Sequence, residues 1–205
     1  MASLDDLITS SGATAYCLHA SSENAAMRHM SRFVTHDPVT IIKKINEPPL
    51  IIVPQMEAER AARESPAQVI TRQQAGYLEI FEHEKDPWKI QAEMISRLSK
   101  GPYLLPPDYP VALARALESH DAVIIDSTDR LSAPRAIKTP DEISWITRAQ
   151  RAAEAAMETA ISLIRHAEIR SGALYHDDAP LTSDMVRYEM NKTMLRYDCT
   201  ADDTI

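Results

Sequence analysis

Cys17 and His19 stand two residues apart in a β-rich run, so on a strand their side chains point the same way. A thiolate held beside an imidazole would be the chemistry of such a pair. The plainer reading of the same residues is a buried strand cysteine, which behaves as a small hydrophobe. His83-Glu84 opens a zincin-like H-E-x-x-H pattern, but the fifth position is Pro87. The second histidine one helical turn on, which a zinc ion needs, is therefore missing, and the pair reads as a solvated loop. His176-Asp177-Asp178 places three ligand-type side chains in a row. Adjacent residues on a loop do not converge on one ion without further ligands, so a solvated turn is expected there. Asp202-Asp203 could be imagined as paired carboxylates for acid–base work, and read as solvated acids. No G-x-S-x-G nucleophile elbow occurs.

The whole composition narrows the function classes further. The chain has 205 residues with 22 Lys+Arg against 30 Asp+Glu, a formal charge of −8. That balance argues against a protein held to nucleic acid or to acidic membranes by net charge. Hydrophobic residues make up 44% and charged residues 25%, ordinary usage for a folded soluble domain. Only four glycines occur, Gly12, Gly76, Gly101 and Gly172, so a glycine-rich phosphate loop, which needs two or three in a short run, is excluded. The two cysteines, Cys17 and Cys199, are too far apart for a CxxC site or a disulfide framework, which fits a reducing, cytoplasmic compartment. The start, Met1-Ala2-Ser3-Leu4-Asp5-Asp6, has no basic segment followed by an apolar run, so no secretory signal is expected. No stretch approaches the roughly 18 apolar residues of a membrane span.

The elements that must carry these side chains alternate. Short β-branched or aromatic runs predict strands at Ala13–Leu18, Val39–Ile45, Leu50–Val53, Gln68–Thr71, Tyr103–Leu105 and Ala122–Asp126. Helices are predicted at Glu23–Phe33, Gln55–Glu64, Pro87–Lys100 and Pro110–Ser119. The third of these has a clear start, with Asp86 able to cap and Pro87 pre-set at the first helical position. Asn46-Glu47-Pro48-Pro49 looks like a hairpin turn between two strands. The predicted class is therefore α/β with a mixed sheet flanked by helices.

The composition changes near Pro134. Thr139-Pro140-Asp141-Glu142 is a capping box that opens a long helix to about Ala167. Ile143, Ile146, Ala149, Ala153, Met157, Ala160 and Ile164 form its apolar stripe. A polar loop from Arg170 to Pro180 and a second helix from Thr182 to Tyr197 are expected to follow, with Val186, Met190, Met194 and Tyr197 on one side. Two such helices lack a sheet to cover, so the segment after Ile205 is expected to hold what they pack on.

Four segments, in order, resemble the creatinase/prolidase/Xaa-Pro aminopeptidase family. Asn24 followed by Arg28-His29-Met30-Ser31-Arg32-Phe33 is similar to the family's N…RYLTGF stretch; Arg28 and Phe33 agree, while His29 stands for Tyr and Arg32 for Gly. Pro49-Leu50-Ile51-Ile52-Val53-Pro54 with Met56-Glu57-Ala58-Glu59-Arg60-Ala61 resembles a strand and an ME-x-ERA helix start. Arg135-Ala136-Ile137-Lys138-Thr139-Pro140-Asp141-Glu142-Ile143 resembles the R-x-IK(S/T)P-x-EI junction into the catalytic domain. Leu181 to Arg187 resembles the start of that domain's second helix, and Thr200 to Ile205 the entry to its next strand.

The resemblance implies a creatinase-type N-terminal α/β domain over residues 1–133. Residues 134–205 would then be the linker and first two helices of an incomplete pita-bread α+β metallopeptidase domain. It implies a full-length relative with two divalent metal ions, Mn, Co or Zn, held by two Asp, one His and two Glu, acting on proline-containing peptides. None of those ligands maps onto these residues, and Asp202 and Asp203 precede the ligand motif. No catalytic residue and no metal ligand is therefore assigned, and the 205 residues are expected to be catalytically silent, whether as a truncated reading frame or a split gene. The alternative is a non-catalytic dimerisation or peptide-binding module of degenerate peptidase fold. A homodimer is expected by the same resemblance, with His29 and Arg32 as a substrate-side element.

Overall fold

A computed structural model describes residues 3–128 and 132–201. They fall into two compact units, Met1–Ile137 and Lys138–Ile205. Asp202 and Asp203, and with them the strand entry expected near Ile205, lie outside the described residues.

The first unit is built on strands β1 (Ala15–Ala20), β2 (Val39–Lys44), β3 (Leu50–Val53), β4 (Gln68–Thr71), β5 (Tyr103–Leu105) and β6 (Val123–Ile125). They form one sheet in the order β4-β3-β2-β1-β5-β6. The β1/β2 and β2/β3 pairs are antiparallel, and the β1/β5, β3/β4 and β5/β6 pairs are parallel. The mixed sheet expected from the sequence is thus present. Its hairpin turns at Asn46, which takes a left-handed backbone with φ 59°.

Strand alternation feeds two separate cores. Tyr16, Leu18, Ile41, Ile51 and Leu104 point to one face and meet helices α1 (Leu4–Ser11), α2 (Ala25–Ser31) and α3 (Ala58–Glu64). Cys17, Ile42, Ile52, Tyr103 and Leu105 point to the other, where α4 (Tyr77–His83), α5 (Pro87–Leu98) and α6 (Val111–Glu118) supply Ile80, Ile90, Met94, Ile95, Leu113 and Leu117. A period of two is what sends neighbouring residues of one strand to opposite layers. A short helix, α7 (Ser132–Ala136), ends the unit. Three helices, α1, α4 and α7, go beyond the sequence expectations. α1 opens with a capping box in which the Ser3 hydroxyl accepts from Asp6 N and the Asp6 carboxylate accepts from Ser3 N. α4 starts at Gly76, with φ 90°, and has no side-chain cap.

The second unit opens as expected. Thr139 Oγ1 accepts from Glu142 N at 3.3 Å while Glu142 Oε2 accepts from Thr139 N at 2.8 Å, and α8 runs Pro140–His166. Of the expected apolar stripe only Ala160 is on the face that packs. α8 buries Ala152, Ala156 and Ala160, whereas Ile143, Ile146, Met157 and Ile164 are exposed. Small side chains four residues apart let α9 (Ser183–Leu195) approach closely, and Thr159 and Thr193 hydrogen-bond across the pair at 3.0 Å. Arg148 ties the far end by donating to Tyr197 O and pairing with Asp198.

The expected loop from Arg170 to Pro180 is instead a three-stranded antiparallel sheet, β7 (Glu168–Arg170), β8 (Ala173–His176) and β9 (Ala179–Pro180). Its two turns, Ser171-Gly172 and Asp177-Asp178, have positive φ at both residues. That is the signature of the tight hairpin turn matching strand twist.

Among the described residues no helix is long and apolar enough to cross a membrane.

Candidate functional site

The α2 segment carries the two residues singled out by resemblance. Asn24 caps the helix, its Oδ1 accepting from Ala26 N at 2.9 Å and Met27 N at 3.1 Å, while its Nδ2 donates to Asp108 Oδ2 at 2.9 Å. Ala26, Met27 and Met30 go into the core. His29 is half-buried on the helix, and Arg32 is exposed at its C-cap with φ 53°. This left-handed position falls where the family pattern N…RYLTGF has glycine, the residue that tolerates it. Phe33 is buried beneath the Arg60 guanidinium, 4.3 Å from the ring centroid. Arg60 also donates to Val34 O at 2.9 Å and pairs with Glu57 and Glu64. A cavity of about 320 Å³ opens at Asn24 between Leu18 and Asp108; neither His29 nor Arg32 lines it.

Cys17 and His19 share the opposite face of β1, as strand alternation requires, but not one environment. Cys17 is fully buried, and burial pushes its thiol far above the ordinary range. It is therefore a packing residue rather than a nucleophile. His19 reaches a cavity of about 350 Å³ that it shares with Arg72, Tyr77, Phe81, Lys85 and Trp88. Burial, and next the nearby Arg72 charge, push its imidazole down to about 4, so the ring is neutral at pH 7. Its Nδ1 lies 2.8 Å from Thr40 Oγ1, and the ring meets Trp88 edge-on at 6.0 Å and 78°. Of these lining residues only His19 was singled out from the sequence. The others fall within residues 72–88, where Tyr77, Phe81 and Lys85 follow at four-residue steps, a helical spacing that goes with the unannounced α4.

The remaining ligand-type residues are placed differently from expectation. His83 is the last residue of α4 rather than part of a loop, 3.5 Å from Glu93, because Gly76 starts a helix that the sequence did not announce. Glu84 accepts from the backbone N–H groups of Lys85 and Asp86, which hold its carboxyl below the usual range. His176 ends β8, and its Nε2 is 3.6 Å from Asp177, while Asp178 pairs with Arg170 at 2.9 Å. Arg170 therefore occupies the carboxylate that an ion would need. Among the described residues no group of three or more His, Cys, Asp or Glu side chains could hold a metal ion. The donor set does not fit a dinuclear centre, which needs several convergent oxygen and nitrogen ligands.

No protein-family model matches the chain, and no curated protein matches it in sequence. Its fold does match solved structures. Prolidase from Pyrococcus furiosus superposes with a TM-score of 0.66 at 15% identity, over 95% of this chain and 52% of that one. An Xaa-Pro dipeptidase from Bacillus anthracis gives 0.65 at 17% identity, over 94% and 47%. An X-Pro aminopeptidase from Thermotoga maritima gives 0.61 at 18%, over 91% and 47%. The chain thus has the α/β fold of these peptidases, the fold that the sequence resemblance implied. It spans about half the length of the structures it matches.

Proposed function

We propose that this chain is the framework portion of a metal-dependent Xaa-Pro aminopeptidase or dipeptidase of the creatinase/prolidase family. Residues 1–133 would serve as its creatinase-type N-terminal domain, and residues 134–205 as the opening of a pita-bread catalytic domain. The observation that carries this reading is the fold likeness, which runs over 95% of this chain but only 52% of the Pyrococcus furiosus prolidase. The reading is supported by the lack, among the described residues, of any group of three or more His, Cys, Asp or Glu side chains that could hold a metal ion. In such an enzyme two divalent ions would generate the nucleophile and polarise the scissile carbonyl. Hydrolysis would then require ligands that these residues do not provide.

On this reading residues 1–205 bind no catalytic metal pair, and the location is cytoplasmic. The end of α2, with His29 and Arg32, is the element offered toward proline-containing peptides within a homodimer. Incubation of the 205-residue chain with Mn, Co or Zn and an Xaa-Pro dipeptide should release no proline above the metal-free control. Metal-dependent release would overturn the reading.

The second reading is a non-catalytic dimerisation module. It is favoured by the exposed Ile143, Trp145, Ile146, Met157, Ile161 and Ile164 of α8. A stable dimer with no peptidase activity in any longer form of the protein would select it.

A further inference from the structure

We propose that the cavity beside the C-terminal end of β1 is a binding site for a small aromatic carboxylate. It lies within the first unit and owes nothing to the peptidase reading.

The volume, about 350 Å³, is at the lower end of ordinary ligand pockets, roughly 300–1,000 Å³. Three of its apolar wall residues are aromatic. Tyr77 and Phe81 are stacked with ring centroids 5.8 Å apart, and Trp88 stands on the other helix of the α4/α5 pair. Ile90 and Met94, both buried, line it as well, together with Pro38 and Pro87. Phe81 and Trp88 are also 43% and 37% exposed. Large aromatic side chains left part-exposed around a concavity are a surface that a flat ring can cover.

The polar groups define the rest of the ligand. Arg72, half-buried, makes no ion pair or side-chain hydrogen bond among the described residues, although it lines the cavity. Lys85 sits with Nζ 3.7 Å from the Phe81 ring centroid and donates to Phe81 O, again with no carboxylate partner among the described residues. The acids nearest in sequence are engaged elsewhere. Glu84 accepts from two backbone N–H groups and lies 3.7 Å from Lys89, and Asp86 accepts from Trp88 N and Lys89 N as the cap of α5. In a chain of net charge −8, two cations lining one cavity without a carboxylate mark a place for an anion.

His19 adds a neutral polar ring. Gln91 Nε2 donates to Thr40 Oγ1 at 2.9 Å, and Thr40 is buried. The same hydroxyl meets His19 Nδ1 at 2.8 Å, so Nε2 is the ring nitrogen left to meet a ligand, as donor or acceptor according to the tautomer. A ligand with a ring and one carboxylate uses all of these features. A phosphate would leave the aromatic walls wet and finds no glycine-rich nest of N–H groups here. A purely apolar ligand would leave Arg72 desolvated and unpaired.

The test uses the whole chain labelled with ¹⁵N and titrated with 3-phenylpropionate, read at the two tryptophan indole N–H signals. The Trp88 signal, assigned with Trp88→Phe, should shift saturably while that of Trp145 stays fixed. The uncharged 3-phenylpropanamide should bind at least tenfold more weakly to the same unaltered protein, so the charge requirement does not depend on a variant folding. Arg72→Gln should lower affinity for the acid at least tenfold with its own spectrum still dispersed. The same chemistry is offered by a peptide ending in phenylalanine. Acetyl-Gly-Phe binding tighter than the free acid would identify a peptide terminus as the source, and weaker binding would identify a free acid. Equal affinity for acid and amide, or no saturable shift at Trp88, would overturn the proposal.

Discussion

His19 and Thr40 face each other across the antiparallel β1/β2 pair and join side chains at 2.8 Å. The strand register fixes this contact, and burial makes it selective for the uncharged ring. The imidazole is pushed from its usual 6.5 to about 4, so the folded chain binds fewer protons than the unfolded chain between those values. Stability contributed by the neutral ring is present above pH 6.5 and is lost as pH falls from 6.5 to 4. The loss approaches roughly 3 kcal/mol, at 1.36 kcal/mol per pH unit. Urea melts of wild type and His19→Gln at intervals across that window should show a slope in the former that flattens in the latter. Parallel curves would remove His19 as the cause.

Arg32 holds φ 53° at the end of α2, where a side chain crowds the following carbonyl. Such a conformation costs an L-residue about 1–2 kcal/mol relative to glycine. Arg32→Gly should therefore raise the midpoint of thermal unfolding, by roughly 3–4 °C per kcal/mol for a unit of this size. A lowered midpoint would mean that the contacts of Arg32 outweigh its strain.

Much of the sheet was legible because each strand is a short β-branched run closed by Pro, Gly or polar residues; Leu50–Val53, Gln68–Thr71 and Tyr103–Leu105 end where the sequence places them. What escaped was local chemistry of another kind. α1 carries its capping signal in Ser3 and Asp6, with aspartate in the place more often held by glutamate. α4 has no side-chain cap, and its start depends on the backbone of Gly76. β7, β8 and β9 are short and largely exposed, so no alternation announced them, although Ser171-Gly172 and Asp177-Asp178 are turn-forming pairs. The packed face of α8 differs from the expected stripe because apolar periodicity does not say which of two faces meets a neighbour. For the aromatic cavity only His19 stood out. Tyr77, Phe81 and Lys85 do carry a four-residue helical spacing, but how Arg72 and Trp88 join them and His19 is set by sheet and helix packing.

Gly76 links the cap of α4 to an ion-pair cluster. A Cβ added there would stand 2.6 Å from Arg97 Nη1, and Arg97 pairs with Glu79 at 2.9 Å and Glu93 at 2.7 Å. The Arg97 tip can move aside, so the main penalty of Gly76→Ala lies in φ 90°, at about 1–3 kcal/mol for a side chain in a sparsely populated backbone region. Chemical denaturation should show that loss. Replacing Arg97 by Gln should cost under about 1 kcal/mol, since these pairs are solvent-screened. If Arg97→Gln costs as much as Gly76→Ala, the ion pairs rather than the backbone govern this corner.

The two faces of α8 should respond in opposite ways. Ala156 is 1% exposed, and a leucine there would force α9 outward, costing about 1–3 kcal/mol as overpacked sites do. Met157, its neighbour in sequence, is 55% exposed, and Met157→Ser should change stability within about 0.5 kcal/mol. Ile143, Ile146 and Ile164 are exposed on the same helix, and apolar side chains clustered in this way drive association when nothing covers them. Light scattering of the 205-residue chain should therefore show mass rising with concentration, and the triple change Ile143→Ser, Ile146→Ser, Met157→Ser should suppress that rise without altering helix content by circular dichroism. A wild-type chain that stays monomeric across the same concentrations would show that these side chains drive no association, and would count against the dimerisation reading.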